Sequence, residues 1–362
     1  MVGRIVLFGA TGFTGQLVAR ALVERGAAPV LAARSQARVE ALAAELGGLQ
    51  SAVADVARPA TVRALVEAGD VLVSTVGPFA RWGEPALRAA IDAGAHYLDS
   101  TGEPSFIRTV FDRHGPDAAA AGVGLLTAFG YDYVPGNLAG ALALREAGER
   151  AVSVDVGYFV GGRGARASGG TQASAAGMLA EPAYAFIGGR LVTQRTARDV
   201  HAFDGRPAVS IGATEQFGLP RVHPGVRDVR VWLGWFGPAS RPLQALSAAT
   251  AVATKLPGVR GAIGAATARL VKGSTGGPDA ASRARTRSHI VAVASDAAGA
   301  PLVTVRLEGD NPYDFTGAVL AWGAMTAAAG GLRGSGALGP VEAFGLDELQ
   351  AGVAQAGIAR RD

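Results

Sequence analysis

The chain has 362 residues, 49% of them hydrophobic and 18% charged, with 52 glycines, no cysteine and a formal charge of +4. That length predicts about two domains with a substantial core, and the composition excludes intrinsic disorder, a disulfide scaffold, a thiol nucleophile and thiolate-held zinc or iron–sulfur. The short apolar run after Met1 leads straight into a glycine-rich turn, so a soluble, cytoplasmic protein with no targeting segment removed is expected.

Strand and helix patterns alternate through the first third. The apolar run "RIVLFGA" at 4–10 reads as a parallel strand buried on both faces. A helix over 15–26, a strand over 28–34, and a helix over 35–46 with Ser35 as N-cap follow. Next come a strand at 51–56, a helix from Pro59 to 69, a strand at 70–77 and a helix at 83–94. A strand at 96–101, a helix near 105–121 and a strand at 123–130 complete the series. This order predicts an α/β fold, a Rossmann-type doubly wound parallel sheet. After about residue 150 the pattern changes to strands near 151–160, 208–217, 228–236, 286–295 and 301–308, with helical runs near 170–186 and 241–271. A second α+β domain is expected there. The run 241–271 is apolar but broken by Arg241, Lys255, Pro257, Arg260 and Arg269; it reads as a buried helical hairpin or, less favourably, an acyl-facing surface, and not as a bilayer span. A C-terminal return helix is expected from Phe315 to Ala329, so the predicted domains are 1–150, 151–314 and a returning segment 315–362.

"GATGFTG" places Gly9, Gly12 and Gly15 between the first strand and helix, with Thr11, Phe13 and Thr14 among them. There the first glycine permits the tight turn, the second lets backbone approach a pyrophosphate, and the third lets the helix pack closely. The helix N-terminus offers N–H groups and a positive dipole end to phosphates. At the end of the second strand, where an acidic residue would hold a ribose 2′-hydroxyl, stand Arg34 and Ser35, which suit a 2′-phosphate. NADP(H) is the expected cofactor. Asp55 ends the third strand, where it could reach adenine or cap the next helix. Val76, Gly77, Pro78 and Phe79 follow the fourth strand beside the expected nicotinamide, with Phe79 able to cover a ring face. "HYLDSTGE" then supplies His96, Tyr97, Asp99, Thr101 and Glu103; the last three share one side if the strand persists, and capping would explain them equally. "GYDYVPGN" supplies Tyr131, Asp132 and Tyr133 just before Pro135 starts a helix. Tyrosine is a neutral proton donor at pH 7; Tyr133 is the preferred donor, Tyr131 reads more as packing, and Asp99 is the third catalytic candidate. His114, His201, His223 and His289 have no metal-ligand spacing, and no metal site is expected.

"GATGFTG" at 9–15, "VGPF" at 76–79, "HYLDSTGE" at 96–103 and "GYDYVPGN" at 130–137 resemble, in order and spacing, the saccharopine-dehydrogenase-like oxidoreductases. The branch containing the trans-acting enoyl reductases of polyketide-lipid synthesis is the most similar, and the stretch 276–316 also looks like it. The resemblance implies an NADP-binding Rossmann domain, an inserted α+β domain and a C-terminal return. It also implies NADPH-dependent reduction of a C=C bond conjugated to a carbonyl, in a polyketide or fatty acyl chain on a carrier protein, and is compatible with a homodimer. The related pattern has phenylalanine at position 131 and serine at 133; both are tyrosine here, so no serine role transfers. The family's substrates are diverse, which keeps imine or ketone reduction open, and a non-catalytic NADP(H) sensor is the rival of another class. Basic residues are nearly all arginine, Lys255 and Lys272 being the only lysines, and the isoelectric point is about 9.7. No basic run or interleaved aromatic pattern points to nucleic acid, whereas an acidic substrate or carrier would suit this charge.

Overall fold

The computed structural model describes residues 3–162, 181–253 and 276–361, which divide into two compact units. The first unit holds residues up to 101, then 106–134 and 312–357. Its parallel sheet is built on β1 (Ile5–Phe8), β2 (Val30–Ala33), β3 (Ser51–Val53), β4 (Val71–Ser74), β5 (His96–Asp99) and β6 (Gly124–Leu126). The order is β6-β5-β4-β1-β2-β3, with the two-residue strand Gly336–Ala337 added parallel beside β6. β1 and β4 are buried at every position, as continuous apolar runs require when helices cover both faces. All carboxyl ends therefore lie on one edge, and the order reverses between β1 and β4, where such sheets open a crevice for ligands.

The connecting helices follow the sequence patterns, most of them trimmed at the ends. The helix α1 (Phe13–Glu24) buries Val18, Ala19 and Leu22, and α2 (Gln36–Glu45) buries Val39 and Leu42. The helix expected from Pro59 to 69 stops at Arg63, and the one near 105–121 is interrupted by a π-helical turn at Val110–His114. The return helix is Pro312–Ala328, packed on α1 where Gly317 lies so close to Leu17 that an added Cβ would come within 3.0 Å of its side chain. Gly323 of the same helix makes room for Phe129, whose ring also meets Trp322 and Phe344.

The second unit comprises residues 102–105, 135–311 and 358–362. Its nine-stranded sheet runs β10 (Val200–Phe203), β11 (Arg206–Ile211), β12 (Asp228–Leu233), β7 (Ser153–Gly161), β13 (Arg287–Ser295), β14 (Pro301–Gly309) and the edge strand Ile358–Arg361. β8 (Pro182–Ile187) and β9 (Arg190–Arg195) form a hairpin attached through β8 to β12. The pairing is antiparallel except between β12 and β7, which run parallel from Asp228↔Ser153 to Leu233↔Tyr158.

Several expectations change. The helix Val134–Ala147, assigned above to the first domain, belongs to the second unit: Gly136 donates its N–H to the Tyr158 hydroxyl (2.9 Å), and Asn137 Nδ2 donates to Thr214 Oγ1 (2.8 Å). Residues 358–361 likewise leave the returning segment to pair with β14. The strand expected over 208–217 ends at Ile211, and a helix, Glu215–Val222, begins in its place. The helical run near 170–186 is a strand from Pro182; its earlier part lies outside the described residues. Of the expected buried hairpin 241–271, only Ser240–Ala253 is described, and Leu246 and Val252 are exposed on it. No helix among the described residues is long and apolar enough to cross a membrane.

Candidate functional site

The turn after β1 is shaped by its glycines. Gly9 has φ +91°, a left-handed conformation, and a Cβ there would lie 2.7 Å from Thr75 Oγ1. At Gly15 a Cβ would stand 2.2 Å from the Gly9 carbonyl oxygen, so only glycine lets α1 start this close to the turn. Gly12 is different. Its sole neighbour within 4 Å of a built Cβ is the Gly9 oxygen at 3.2 Å, so the turn presents an open cradle at this point. The Gly12 N–H donates to the Gly9 carbonyl (2.9 Å), the Thr75 hydroxyl donates to the same oxygen (3.1 Å), and no side chain caps α1. The first-turn N–H groups of an α-helix have no intrahelical acceptor. An open cradle above an uncapped helix is what a pyrophosphate requires.

At the end of β2, Arg34 is exposed and Ser35 occupies the N-cap position of α2 without its hydroxyl making a cap bond. Arg38, which sequence reasoning did not single out, reaches from α2 to the glycine turn, donating from Nη2 to the Thr11 carbonyl (3.1 Å). Its signal was the four-residue step from Arg34. The two guanidinium groups, with the Ser35 hydroxyl, give a 2′-phosphate acidic-site complements of the right sign and number. Asp55 closes an Asx turn: its Oδ1 accepts from the Ala57 N–H (3.0 Å), and its own N–H donates to Thr61 Oγ1 (3.0 Å). Thr11, Phe13 and Thr14 are half-buried around the turn, and the Phe13 ring meets Tyr313 edge-on at 5.3 Å. NADP(H) fits these residues.

The loops after β4, β5 and β6 form the neighbouring part of the same edge. Val76 and Pro78 are half-buried, and Gly77 is exposed. Phe79, expected as a cover for the nicotinamide, is instead buried against Phe106 at a centroid distance of 5.7 Å. Strand β5 ends at Asp99, so the alternation that would have aligned Asp99, Thr101 and Glu103 does not continue. Asp99 turns back on the chain. Its Oδ1 accepts from the N–H of Thr101 (2.9 Å) and of Ala128 (2.8 Å), and its Oδ2 from the Thr127 hydroxyl (2.8 Å). Its backbone oxygen also accepts from Phe129 N–H at 2.7 Å. Burial raises the Asp99 carboxyl to about 6 against these opposing hydrogen bonds. The Tyr97 phenol, fully buried on β5, is pushed up by burial and then by the Asp99 charge. His96 accepts at Nδ1 from Gly124 N–H (3.0 Å) and ties β5 to β6, with burial lowering its pKa. Asp99 and His96 thus hold backbone.

What Asp99 holds is the loop 127–133. Tyr131 N–H donates to Thr316 Oγ1 (3.0 Å), which in turn donates to the Pro312 carbonyl (2.6 Å). Tyr133 N–H donates to Ala128 O (2.7 Å). Both tyrosines are buried, at 2% exposure. Between them Asp132 is half-buried as a residue, yet its Oδ1 is out of solvent and has no hydrogen-bond partner among the described residues. Burial raises its carboxyl to about 7. Sequence reasoning passed over Asp132, because whether a loop carboxyl is dry cannot be read from a three-residue motif.

Residues 5–123 match the saccharopine dehydrogenase NADP binding domain. Trans-acting enoyl reductases of Mycobacterium ulcerans and Mycobacterium leprae are 40% and 41% identical over 140 residues, each alignment covering 37% of this chain and 34% of the relative. The chain thus spans about a third of the length of these relatives. In fold, the whole chain is similar to the L-glutamate-forming saccharopine dehydrogenase of Saccharomyces cerevisiae, with a TM-score of 0.58, 14% identity and 99% of each chain covered. Cradle, basic strand end and matched residues converge on NADP(H) as the cofactor of the first unit, whose residues 5–123 are similar to the NADP-binding domain of saccharopine dehydrogenase.

Proposed function

We propose that the protein is an NADPH-dependent reductase of an α,β-unsaturated acyl thioester. The observation that supports this most is the common sheet edge: the phosphate cradle after β1 and the polar loops after β4, β5 and β6 stand at carboxyl ends of adjacent parallel strands. A dinucleotide laid across that edge, with pyrophosphate at Gly12 and ribose at Arg34, Ser35 and Arg38, has its nicotinamide half towards β4 to β6. The name carried by the mycobacterial relatives supports the C=C bond as the target. Bound at this edge, NADPH would supply a hydride for the β-carbon, and the charge then left on the thioester would be quenched by a proton.

The chain's own residues do the rest. Gly9, Gly12, Gly15, Thr11, Phe13 and Thr14 shape the cofactor seat; Asp55 braces the turn after β3; and Val76, Gly77, Pro78 and Phe79 form the loop beside the nicotinamide. Asp99 positions the loop 127–133, which brings Tyr131, Asp132 and Tyr133 to the reacting carbons. The substrate is a polyketide or fatty acyl chain borne by an acidic carrier protein, and the enzyme acts in the cytoplasm.

The test is NADPH consumption with 2-enoyl, 3-oxo and cyclic imine substrates, the first two as pantetheine thioesters. Turnover of the enoyl thioester, with NADH at least tenfold poorer, is the expected result. Turnover of the ketone or imine alone would move the protein to another reductase class, and NADPH binding without turnover of any would make it a sensor.

A further inference from the structure

We propose that Asp132 is the proton donor of this site, acting as a carboxylic acid on the substrate's α-carbon. The inference rests on the reductase reading above and assigns a catalytic role that the tyrosines on either side would otherwise fill.

Every neighbour of Asp132 in its loop is engaged in holding the loop. Thr127 and Ala128 are bonded to Asp99, Phe129 is bonded to the Asp99 backbone and packed on Trp322 and Phe344, and Tyr131 and Tyr133 donate their N–H groups to Thr316 and Ala128. Among the described residues, Asp132 Oδ1 takes no part in this frame. A buried carboxyl oxygen without a partner is costly, and such groups in native folds call for an explanation. Here the cost falls on a loop held by these bonds at the carboxyl edge of the sheet, where substrate atoms would supply the missing contact. Burial alone raises this carboxyl: no charged side chain on β5, on the return helix or within the loop contributes to its shift. At about 7, a large fraction is protonated at neutral pH, which suits a general acid.

The step balances. Two-electron reduction at the β-carbon opens the C=C bond and leaves an enolate. The Asp132 O–H bond breaks as a C–H bond forms at the α-carbon, the thioester carbonyl is restored, and the Asp132 carboxylate regains its proton from water.

The test compares Asp132→Asn with Tyr133→Phe in the full-length protein. For Asp132→Asn we expect enoyl turnover to fall about 10²–10⁴-fold, as for removal of a general acid, with NADPH affinity within threefold of the parent. Parent turnover should decline above about pH 7, and in D₂O deuterium should enter the α-carbon with a single stereochemistry. In the variant that pH limb should vanish and the deuterium should scramble. Tyr133→Phe should keep both the limb and the stereochemistry. Turnover of Asp132→Asn within threefold of the parent, or scrambling caused by Tyr133→Phe alone, overturns the proposal. Independently of any substrate, a carboxyl ¹³C resonance that is lost in Asp132→Asn should titrate near 7; titration near 4 overturns the assignment. If no enoyl thioester is reduced by the parent, the reductase reading fails, whatever that titration gives.

Discussion

Three glycines in one turn have three different reasons to be glycine, and they separate on substitution. Gly15→Ala forces a Cβ to 2.2 Å from the Gly9 oxygen, which is backbone and cannot swing aside. Overpacking of that kind costs roughly 1–3 kcal/mol or more, and the variant should melt well below the parent. Gly12→Val has only one close neighbour to accommodate, so the melting temperature should stay within a few degrees while NADPH binding is lost; normal binding would place the phosphates elsewhere. Arg34→Asp removes a charged partner worth about 1.5–3 kcal/mol, so NADPH affinity should drop tenfold or more. Titration calorimetry should show NADH affinity nearly unchanged, and equal losses for both nucleotides would mean that Arg34 does not face the 2′-phosphate. At this scale the sequence was most legible where a residue's role depends on neighbours in the chain, as in the cradle. It was least legible where the role depends on burial. Asp99 looked like chemistry and holds backbone; Asp132 drew no role from its motif, and it carries a carboxyl oxygen shielded from solvent.

The loop 127–133 is an element without regular structure, and its order comes from β5 and the return helix. Asp99→Ala deletes the acceptor for three donors at once, two of them backbone. Each buried donor left unsatisfied costs about 1–3 kcal/mol, so thermal stability should fall by several degrees and amide exchange at Ala128 and Phe129 should accelerate. Unchanged protection at those amides would show that the loop is held by Phe129 packing alone. The regular elements of the first unit were readable because buried parallel strands are unbroken apolar runs and their helices carry a 3.6-residue stripe. The second unit was less so. β9 and β10 are short, with Phe203 their one buried residue, and left no clear signal, and Glu215–Val222 begins only four residues after β11 ends. The parallel pairing of β7 with β12 depends on a long-range return that local pattern does not encode.

For the whole molecule, stability should depend on pH through groups that burial has shifted in opposite senses. Asp99 and Asp132 bind protons more tightly in the folded chain than in the unfolded one, where a carboxyl titrates near 4. The folded state then holds more protons between about pH 4 and 7, so these groups favour folding at the acid end, and that advantage declines as pH rises. His96 and His114, lowered by burial, act in reverse: they must charge on unfolding in acid, and their contribution falls as pH drops below about 6.5. The Asp132 part can be isolated. Relative to the parent, Asp132→Asn should gain stability as pH rises from about 4 to 7 and keep that gain at pH 8; a difference independent of pH would show that Asp132 titrates normally. One last feature bears on how the chain can be cut. Because Ile358–Arg361 completes the sheet beside β14, the second unit is not a contiguous stretch of sequence. An excised 135–311 fragment would bare the backbone amides of β14 along an open margin, the template on which strands of separate molecules join. Such a fragment should self-associate, and a synthetic peptide covering 356–362 should restore it to a monomer.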